Sequence, residues 1–403
     1  MDYNEYKLGE LTDYVKGFAF KSKEFKESGT PVIKVGNLNS GLDKSGEWFY
    51  IDEDEKNKYS KYKVRELDAI ISTVGSWPTN PASVVGKCCI IPKKYENSLL
   101  NQNAVIVRSN SDILEQKYLN YILKSQSFKN YIIGCAQGSA SQASITLEDI
   151  KNYKINLPEI KIQKYISNFL YKIDKKIELN NQINDNLSEI IERMFINFLE
   201  KHNEELVTLE DAVKKIGTGA DAIQRAPIVE YDTGIRCIRV GDMTNSRNRY
   251  EWGFTEMTEK DFDNYKLDIG DIVVTRTAVN GLSYMIEDDM KVVCNNGLIR
   301  MKVNEKYNPM FIYLYLKTKD FNEYVHRIDG ETSVRPNMKV NYFTSYKIMK
   351  ISKEEQDEIC NRLLPLRNKQ KQIIEENNTL TQLRDTLLPK LMNGEIDLDK
   401  IEI

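Results

Sequence analysis

Two long stretches of the chain carry apolar residues at alternating spacings of three and four, the pattern of a helix that packs along a seam. The apolar seam positions are Ile166, Leu170, Ile173, Ile177, Leu187 and Met194 in the first stretch, and Ile359, Leu363, Leu366, Ile373, Leu380 and Leu387 in the second. Asn180, Asn184 and Asn377 interrupt the seam, and polar seam residues fix the register of a helix pair at some cost in stability. The pattern therefore predicts two long helices that form an antiparallel coiled coil.

Shorter segments precede each long stretch, and they recur in the two halves of the chain. Residues 32–38 match residues 237–243, a β-branched run that ends in a Gly-Asn or Gly-Asp turn. Residues 68–73 match residues 271–276, and we expect each to be a strand that leaves a tight turn. The aromatic and leucine positions of residues 118–131 recur at an offset of 193 and predict a helix with a buried face.

This duplication predicts an α+β protein with a pseudo-two-fold internal repeat, in which two tandem globular α/β domains are separated by two long helices. The predicted segments are residues 1–157 for the first domain, 158–204 for the first helix, 205–351 for the second domain, and 352–403 for the second helix and C-terminal tail. Because the paired helices stand between repeated domains, we expect them to act as a spacer as well as a packing surface.

The composition is that of a folded protein, with 41% hydrophobic and 29% charged residues in a chain of 403. The formal net charge of −3 argues against a protein that coats nucleic acid by bulk electrostatics, so any DNA contact should be local or shared with a partner. The polar start of the chain lacks the apolar part of an export signal, and its longest apolar runs are too short to cross a bilayer. We therefore expect a cytoplasmic protein with no membrane partner.

The sequence lacks the motifs of common nucleic-acid enzymes. Its six cysteines form no C-x-x-C pair and only two histidines accompany them, so we expect buried reduced thiols and no metal site. The methyltransferase motif N/D-P-P-aromatic is approached only at Asn80-Pro81, and Glu47 stands where a phosphate loop needs lysine. A metal-nuclease pattern at Asp13 and residues 24–26 is equalled by a chance match at residues 159–161. We therefore predict that the chain has no catalytic residue.

Four segments, in order along this duplication, resemble the specificity (S) subunit of Type I restriction–modification systems over nearly the whole chain. The segments are Gly17-Phe18-Ala19-Phe20-Lys21-Ser22-Lys23-Glu24-Phe25; Gly29-Thr30-Pro31-Val32-Ile33-Lys34-Val35-Gly36-Asn37-Leu38; Ile155-Asn156-Leu157-Pro158 with Gln163-Lys164-Tyr165-Ile166, Leu170 and Ile173-Asp174-Lys175-Lys176-Ile177; and Leu387-Leu388-Pro389-Lys390-Leu391-Met392-Asn393-Gly394-Glu395-Ile396. Three departures stand out. Met349-Lys350-Ile351 replaces the Leu-Pro step, residues 217–225 diverge from residues 17–25, and Arg384 interrupts the distal seam, where we expect it to face a partner.

The resemblance implies a DNA-recognition subunit with two target-recognition domains, each of which reads one half of a bipartite double-stranded DNA site. It also implies two DNA methyltransferase (M) subunits as partners and, through them, a restriction (R) or motor subunit. S-adenosylmethionine, ATP and Mg would then be bound by those partners, and this chain would hold no cofactor. Partners that supply part of the phosphate-binding surface would also explain the near-neutral charge.

Base edges are read mainly by Arg, Lys, Asn, Gln, Ser and Thr side chains on loops, and the first domain carries such residues in three places. Its candidate DNA-binding residues are Lys21, Lys23, Thr73, Ser76, Trp77, Thr79, Asn80, Gln142 and Ser144. Two roles are open for Trp77, because an indole either stacks on bases or anchors the loop in the core.

The second domain offers a matching loop at residues 275–280 and a later polar loop. Its candidate DNA-binding residues are Arg276, Thr277, Asn280, Arg335 and Lys339. Arg276 is the residue type best suited to guanine, although a plain solvated arginine is the alternative. Two other functions also remain open for the chain: a free-standing DNA-modifying enzyme, or a coiled-coil adaptor that binds only proteins.

Overall fold

A computed structural model describes residues 4–40, 42, 48–77, 85–139, 142–202, 205–330, 337–392 and 395. The chain divides into two compact units, Met1–Ile177 with Leu380–Ile403 (unit 1) and Glu178–Thr379 (unit 2). Each unit contains one globular part and sections of both long helices. The four predicted domain ranges, which treat each long helix as a separate segment, stay a prediction.

Unit 1 is built around an antiparallel sheet in the order β2-β9-β5-β7, with a second sheet β4-β3-β8 beside it. Its strands are β1 Asn4–Lys7, β2 Thr12–Lys16, β3 Thr30–Ile33, β4 Phe49–Ile51, β5 Ala69–Ser72, β6 Val74–Gly75, β7 Cys88–Ile90, β8 Leu99–Leu100, β9 Ala104–Ser109, β10 Gln137–Ser139, β11 Gln142–Ser144 and β12 Lys154–Leu157. Its helices are α1 Val35–Ser40, α2 Gln116–Lys124, α3 Gln126–Gly134, α4 Leu147–Lys151 and the start of α5 Ile160–Leu199.

Unit 2 repeats this plan with the sheet β14-β21-β18-β19 and a second sheet β15-β17-β16-β20. Its strands are β13 Leu206–Thr208, β14 Val213–Thr218, β15 Ile228–Val229, β16 Arg236–Ile238, β17 Phe254–Thr255, β18 Ile272–Thr275, β19 Ser283–Met285, β20 Val292–Cys294, β21 Leu298–Val303 and β22 Lys347–Met349. Its helices are α6 Val240–Thr244, α7 Glu259–Tyr265, α8 Pro309–Tyr315, α9 Lys319–Gly330, α10 Val340–Thr344 and most of α11 Lys353–Met392.

The central strands β5 and β18 are buried along their whole length. In β5, Ile71 packs into one apolar cluster and Ile70 into another, so both faces of the sheet are covered. Val274 and Val273 divide in the same way in β18. This explains why both strands open with three consecutive apolar residues instead of alternating apolar and polar ones. The predicted α+β class with two tandem α/β domains is confirmed.

The structure corrects the prediction that residues 32–38 and 237–243 end in turns. The β-branched runs end at Ile33 and Ile238, and the short helices α1 and α6 begin two residues later. Asn37 accepts a hydrogen bond from the Lys34 amide (2.8 Å), as Asp242 does from the Arg239 amide (3.0 Å). Asn37 and Asp242 therefore stabilise the first turn of a helix, because their side chains accept a hydrogen bond from a backbone amide at its start.

The long helices α5 and α11 each contain 40 residues, and their contacts run in opposite directions. In unit 2, Asn180 donates to Asn377 (2.8 Å) and Gln370 donates to the hydroxyl of Ser188 (2.8 Å). In unit 1, Asp174 accepts from Arg384 (2.9 Å), so Arg384 bonds within the helix pair, and its contact with a partner stays a prediction. The predicted antiparallel pairing is therefore confirmed within each unit, and two of the three predicted polar seam residues, Asn180 and Asn377, bond each other in unit 2.

Most predicted seam residues are covered. Ile166, Leu170, Ile173, Ile359, Leu363 and Ile373 are buried, and Ile177, Leu187, Leu366, Leu380 and Leu387 are half-buried. Met194 is an error, because it is 36% exposed while its neighbour Phe195 is fully buried. Phe195 packs edge-on against Phe311 and Tyr315, with ring centroids 5.3 and 5.4 Å away, so the globular part of unit 2 captures the end of α5.

Each long helix is joined to the globular part before it by one buried glutamine. Gln163 accepts from the Glu115 amide (3.0 Å) and donates to the carbonyls of Ile113 and Pro158 (both 2.8 Å). Gln356 accepts from the Asn308 amide (2.8 Å) and donates to the carbonyl of Ile351 (2.7 Å). Both side chains are fully buried, and we call them the joint glutamines. Ile351 thus supplies the carbonyl in unit 2 that Pro158 supplies in unit 1. The strand pair β13-β22 forms even though residues 349–351 replace the Leu-Pro step.

Candidate nucleic-acid interface

In unit 1 the structure brings the two predicted loops together. Val74 in β6 pairs with Ser144 in β11, in antiparallel register. The carbonyl of Thr73 accepts from the Ile145 amide (2.9 Å), and the amide of Thr73 donates to the carbonyl of Asn103 (2.8 Å). Three chain segments therefore meet at one place: the loop after β5, the turn between β8 and β9, and the polar loop that contains Ser144.

The same bonds recur in unit 2. Arg276 accepts at its carbonyl from the Met338 amide (2.8 Å) and donates its amide to the carbonyl of Gly297 (3.0 Å). Thr277 forms an antiparallel bridge with Asn337, as Val74 does with Ser144. These matched bonds make Thr73 equivalent to Arg276, and Ser144 equivalent to Asn337.

The guanidinium of Arg276 holds the three segments of unit 2 together. It donates to the carbonyls of Met338 and Asn296 (both 3.3 Å) and to the side-chain oxygen of Asn337 (2.9 Å). These bonds use three of the five N–H groups of a guanidinium. The half-buried side chain is therefore positioned and is not a loose surface arginine, and its contact with a base stays a prediction.

The remaining candidates of unit 1 differ in exposure. Trp77 is half-buried and packs against the apolar cluster that includes Ile71, as an anchor would, and Ser76 beside it is half-buried. Gln142 and Ser144 are exposed, and the hydroxyl of Ser144 donates to the carbonyl of Gln137 (3.3 Å). Two candidates fall outside the described residues: Thr79 and Asn80.

In unit 2, Thr277 and Asn280 are half-buried beside Arg276, and Lys339 is exposed just before α10. Arg335 lies outside the described residues. Lys21 and Lys23 of unit 1 are exposed and belong to a different segment, a 3-10 turn at Ser22–Glu24. There the Lys21 amide and then the Tyr59 hydroxyl donate to Glu24, which lowers the pKa of that carboxyl.

Two glycines mark where the opening segment of each unit meets the turn. A Cβ on Gly17 would stand 1.8 Å from the Asn101 carbonyl oxygen, and one on Gly219 would stand 2.2 Å from that of Asn295. The next residues confirm the match, since the amides of Phe18 and Ala220 donate to the carbonyls before those asparagines. The sequence comparison of Gly217 with Gly17 was therefore wrong by two residues, because only a glycine fits this approach.

Sequence reasoning missed three polar residues at this place: Gln102, Asn296 and Asn337. Gln102 and Asn296 are equivalent, because their amides donate to the carbonyls of Phe18 (2.9 Å) and Ala220 (2.8 Å). All three side chains are exposed. The signal was present as an amide-rich turn between two strands in both halves. We define loop surface 1 as Thr73, Gln102 and Ser144, and loop surface 2 as Arg276, Asn296 and Asn337.

The described residues show little sign of another chemistry. They contain no group of three or more His, Cys, Asp or Glu side chains that could hold a metal ion. Burial raises the pKa of the Cys360 thiol to about 12 and also raises that of Cys294. Both thiols are therefore protonated near neutral pH and are poor nucleophiles. Within the same residues, no helix is both long and apolar enough to cross a membrane.

The chain is similar to known proteins over all or part of its length. The chain is similar over 98% of its length to the type I restriction enzyme HindI specificity subunit of Haemophilus influenzae, at 23% identity and across 100% of that protein. The MjaVIII specificity subunit of Methanocaldococcus jannaschii is 27% identical over 183 residues, which is 45% of this chain and 41% of that protein. A crystal structure of a Type-I restriction-modification system S subunit from M. genitalium shares the fold, with a TM-score of 0.56, 17% identity, and coverage of 97% and 96% of the two chains.

The family described as Type I restriction modification DNA specificity domain matches residues 1–189 and again residues 205–382. Each match contains one loop surface and most of the long helix that follows it. The chain therefore belongs to the family of Type I restriction–modification DNA specificity proteins and carries two copies of the family's domain.

Proposed function

We propose that this chain reads a bipartite double-stranded DNA target, one block with each unit, and directs partner methyltransferase subunits to it. The observation that supports this most is the matched pair of loop surfaces. The same arrangement of backbone hydrogen bonds, which we call the frame, positions Thr73, Gln102 and Ser144 in unit 1. It also positions Arg276, Asn296 and Asn337 in unit 2. All six are residue types that read base edges or contact phosphates, and different side chains on one frame suit different half-sites.

Catalysis belongs to the partners in this proposal. The chain directs methylation without performing it, and S-adenosylmethionine, ATP and Mg are bound by the methyltransferase and restriction subunits. Membership of a DNA specificity family favours recognition over a free-standing modifying enzyme. It also favours recognition over an adaptor that binds only proteins. Because DNA and these partners meet there, we place the protein in the cytoplasm.

Two methyltransferase subunits for each chain fit the duplication of its surfaces. A cavity of about 910 Å³ in unit 1 is lined by residues that include Tyr153 and Met392. A cavity of about 830 Å³ in unit 2 is lined by residues that include Tyr346 and Leu199. Each cavity lies where the last turn of a long helix meets a globular part. Such equivalent places give each of two identical partners the same docking site, and a restriction subunit would join through those partners.

The long helices are proposed to set the unread gap between the two blocks. A helix of 40 residues is about 60 Å long at about 1.5 Å per residue, which exceeds one turn of DNA. Recognition of two short blocks with a fixed spacing would follow, because a paired helix keeps its length.

The test is to map the methylated adenines made by the chain together with its methyltransferase partner. We expect a motif of two blocks with a gap, lost when the gene is removed. Exchanging residues 275–280 should change one block and leave the other intact. A change in both blocks would contradict separate reading, and the absence of any sequence-selective binding with the partner present would favour the adaptor. Methyl transfer by the purified chain alone would favour the enzyme.

A further inference from the structure

We propose that Gln102 and Asn296 are specificity-determining residues, each of which contacts an adenine base in one block of the DNA target. This inference rests on the proposed function. It concerns the turn between β8 and β9 in unit 1 and the turn between β20 and β21 in unit 2. Both residues stand at the second position of these turns, between the two loops of their loop surface.

The backbone of both turns is fixed from two sides. On one side lies the opening segment of the unit. In unit 1, Phe18 forms backbone hydrogen bonds with Leu100 and Gln102 (both 2.9 Å). In unit 2, Ala220 forms the same bonds with Cys294 and Asn296 (both 2.8 Å). On the other side, the loops after β5 and β18 donate to the carbonyls of the third turn residues. A turn held on both sides fixes the backbone from which its exposed side chain projects, and a base-reading residue needs such a rigid support.

The first and second amides of each turn have different tasks. Asn101 is 9% exposed, and its side-chain oxygen accepts from the Gln102 amide (2.9 Å). Asn295 accepts instead from the amide two residues on, that of Gly297 (3.2 Å), as in an Asx turn. In both units the first side-chain amide therefore bonds the backbone of its own turn. The second amide is exposed in both units, so its side chain is not needed to build the turn.

The third position shows how closely the turns are built. Asn103 has a positive φ of 69°, which asparagine tolerates better than most residues. Its equivalent Gly297 has no space for a side chain, because a Cβ there would lie 2.7 Å from Val240 and 3.1 Å from the Thr277 hydroxyl. The two turns therefore differ at the third residue, since Gly297 lacks the positive φ of Asn103, while both keep an exposed amide at the second position.

An exposed amide matches adenine, because it accepts from N6 and donates to N7 in the major groove. In unit 2 the Asn296 carbonyl already accepts from Arg276, so an arginine and an asparagine stand side by side and would read neighbouring base pairs. The Asn296 side chain also donates to Asp221 at 3.4 Å. A bond of that length is weak and can be exchanged for a base.

The experiment measures DNA selection by the full chain with its methyltransferase partner, on a library in which every base pair of both blocks is varied. Gln102→Ala should reduce discrimination about ten-fold or more at one base pair of one block, and Asn296→Ala should do so at one base pair of the other block. Gln182→Ala and Asn264→Ala are matched controls, because both replace exposed amides away from the loop surfaces and should select as the original chain does.

A second pair of variants separates base reading from folding. Gln102→Glu and Asn296→Asp keep the shape but lose the donor, so preference should move from adenine towards cytosine, whose N4 group donates. Unchanged selection in both alanine variants would overturn the inference while leaving the proposed function standing. Uniform loss over all sequences would overturn it as well, because it indicates phosphate contact. If the original chain selects no bipartite site, both the inference and the proposed function fail.

Discussion

In unit 1 the equivalent loop ends, Thr73 and Gly86, are 13 positions apart in the sequence, whereas in unit 2 Arg276 and Gly281 are only 5 positions apart. The ends of the two loops are equivalent, because the amides of Gly86 and Gly281 donate back to the last residues of β5 and β18 (2.8 and 2.9 Å). Both glycines have positive φ, 72° and 86°. The Arg276 guanidinium bonds the shorter loop to Asn296, Asn337 and Met338 of the neighbouring segments. Loops of different length therefore begin and end at equivalent positions in the two units.

The units also differ in how they hold the long helices. In unit 2 a loop with Glu287 and Asp288 is bonded to α11 by ion pairs of 2.8 to 2.9 Å. The Arg249 network consists of the pairs Arg249–Asp288, Arg249–Glu375, Arg367–Glu287 and Lys371–Asp288. In unit 1 the corresponding attachment is smaller: Tyr121 donates to Asp174 (2.8 Å), which also pairs with Arg384. The two units therefore differ both in the loops that carry their loop surfaces and in the contacts that hold the long helices.

The largest effect is expected from lengthening both helices, which tests whether attachment sets the gap. A heptad inserted into α5 and into α11 keeps the apolar face in register and adds about 10 Å, or roughly three base pairs. The methylated blocks should stay the same while the gap lengthens. An insertion of two residues is the control, since it rotates the seam and should abolish activity. A folded, active heptad variant with the original gap would show that the helices do not set the spacing.

The joint glutamines test what the units share. Gln163→Ala should lower the free energy of unfolding by about 3 kcal/mol, because it leaves one buried amide and two carbonyls without partners. Gln356→Ala should act in the same way on unit 2. Urea unfolding checks both, with Gln182→Ala as the exposed control, expected within about 0.5 kcal/mol. Equal stability of all three variants would mean that these bonds do not join helix to domain.

The Arg249 network tests where the units differ. Arg249 is 9% exposed and bonds two carboxylates, so Arg249→Ala should cost about 2 kcal/mol in the unfolding of unit 2. The difference from the original chain should shrink in high salt, which screens the remaining charges. Arg362→Ala on α11 is the control, since its exposed pair with Glu358 contributes little. A loss that salt leaves unchanged would assign the role of Arg249 to packing.

The most local effect, confined to one base pair, is expected at the equivalent positions Arg276 and Thr73. Arg276→Ala should weaken discrimination by roughly 1–3 kcal/mol at one base pair, if its guanidinium bonds a base edge. Thr73→Ala should cost less, because a hydroxyl makes one bond where a guanidinium makes two. Binding to single-base variants of the target measures both. Uniform weakening over all sequences would place Arg276 on a phosphate instead.

Much of the frame could be predicted because it repeats. Apolar periodicity found α5 and α11, and the offset of 193 residues located equivalent helices and strands before any contact was known. The periodicity failed at Met194, because the drift of a straight helix from the seam and the aromatic ring of Phe311 together favour burial of Phe195. It also missed α1 and α6, since a helix of five or six residues is too short to show a period.

The candidate interface was predicted only in part. The polar composition of their loops identified Thr73, Ser144 and Arg276 as candidates. The hydrogen bonds that bring two such loops together in each unit join residues about 60 to 70 positions apart in the sequence, so the pairing of the loops could not be predicted. Gln102 and Asn296 were missed because one exposed amide in a turn has no periodic signal. The Arg249 network was missed for the same reason, since its charges come from segments that are distant in sequence.

The joint glutamines have a consequence for how such chains can change over generations. Every partner of Gln163 and Gln356 is a main-chain amide or carbonyl, so these two glutamines place no demand on the side chains of the globular part. A globular part inherited by recombination from another gene would therefore keep these bonds, provided that its backbone follows the same path and its core accepts the apolar residues of the helix, such as Ile166 and Leu170 in unit 1. Such an exchange can create a new pairing of half-sites in one step, without compensating mutations at the joint.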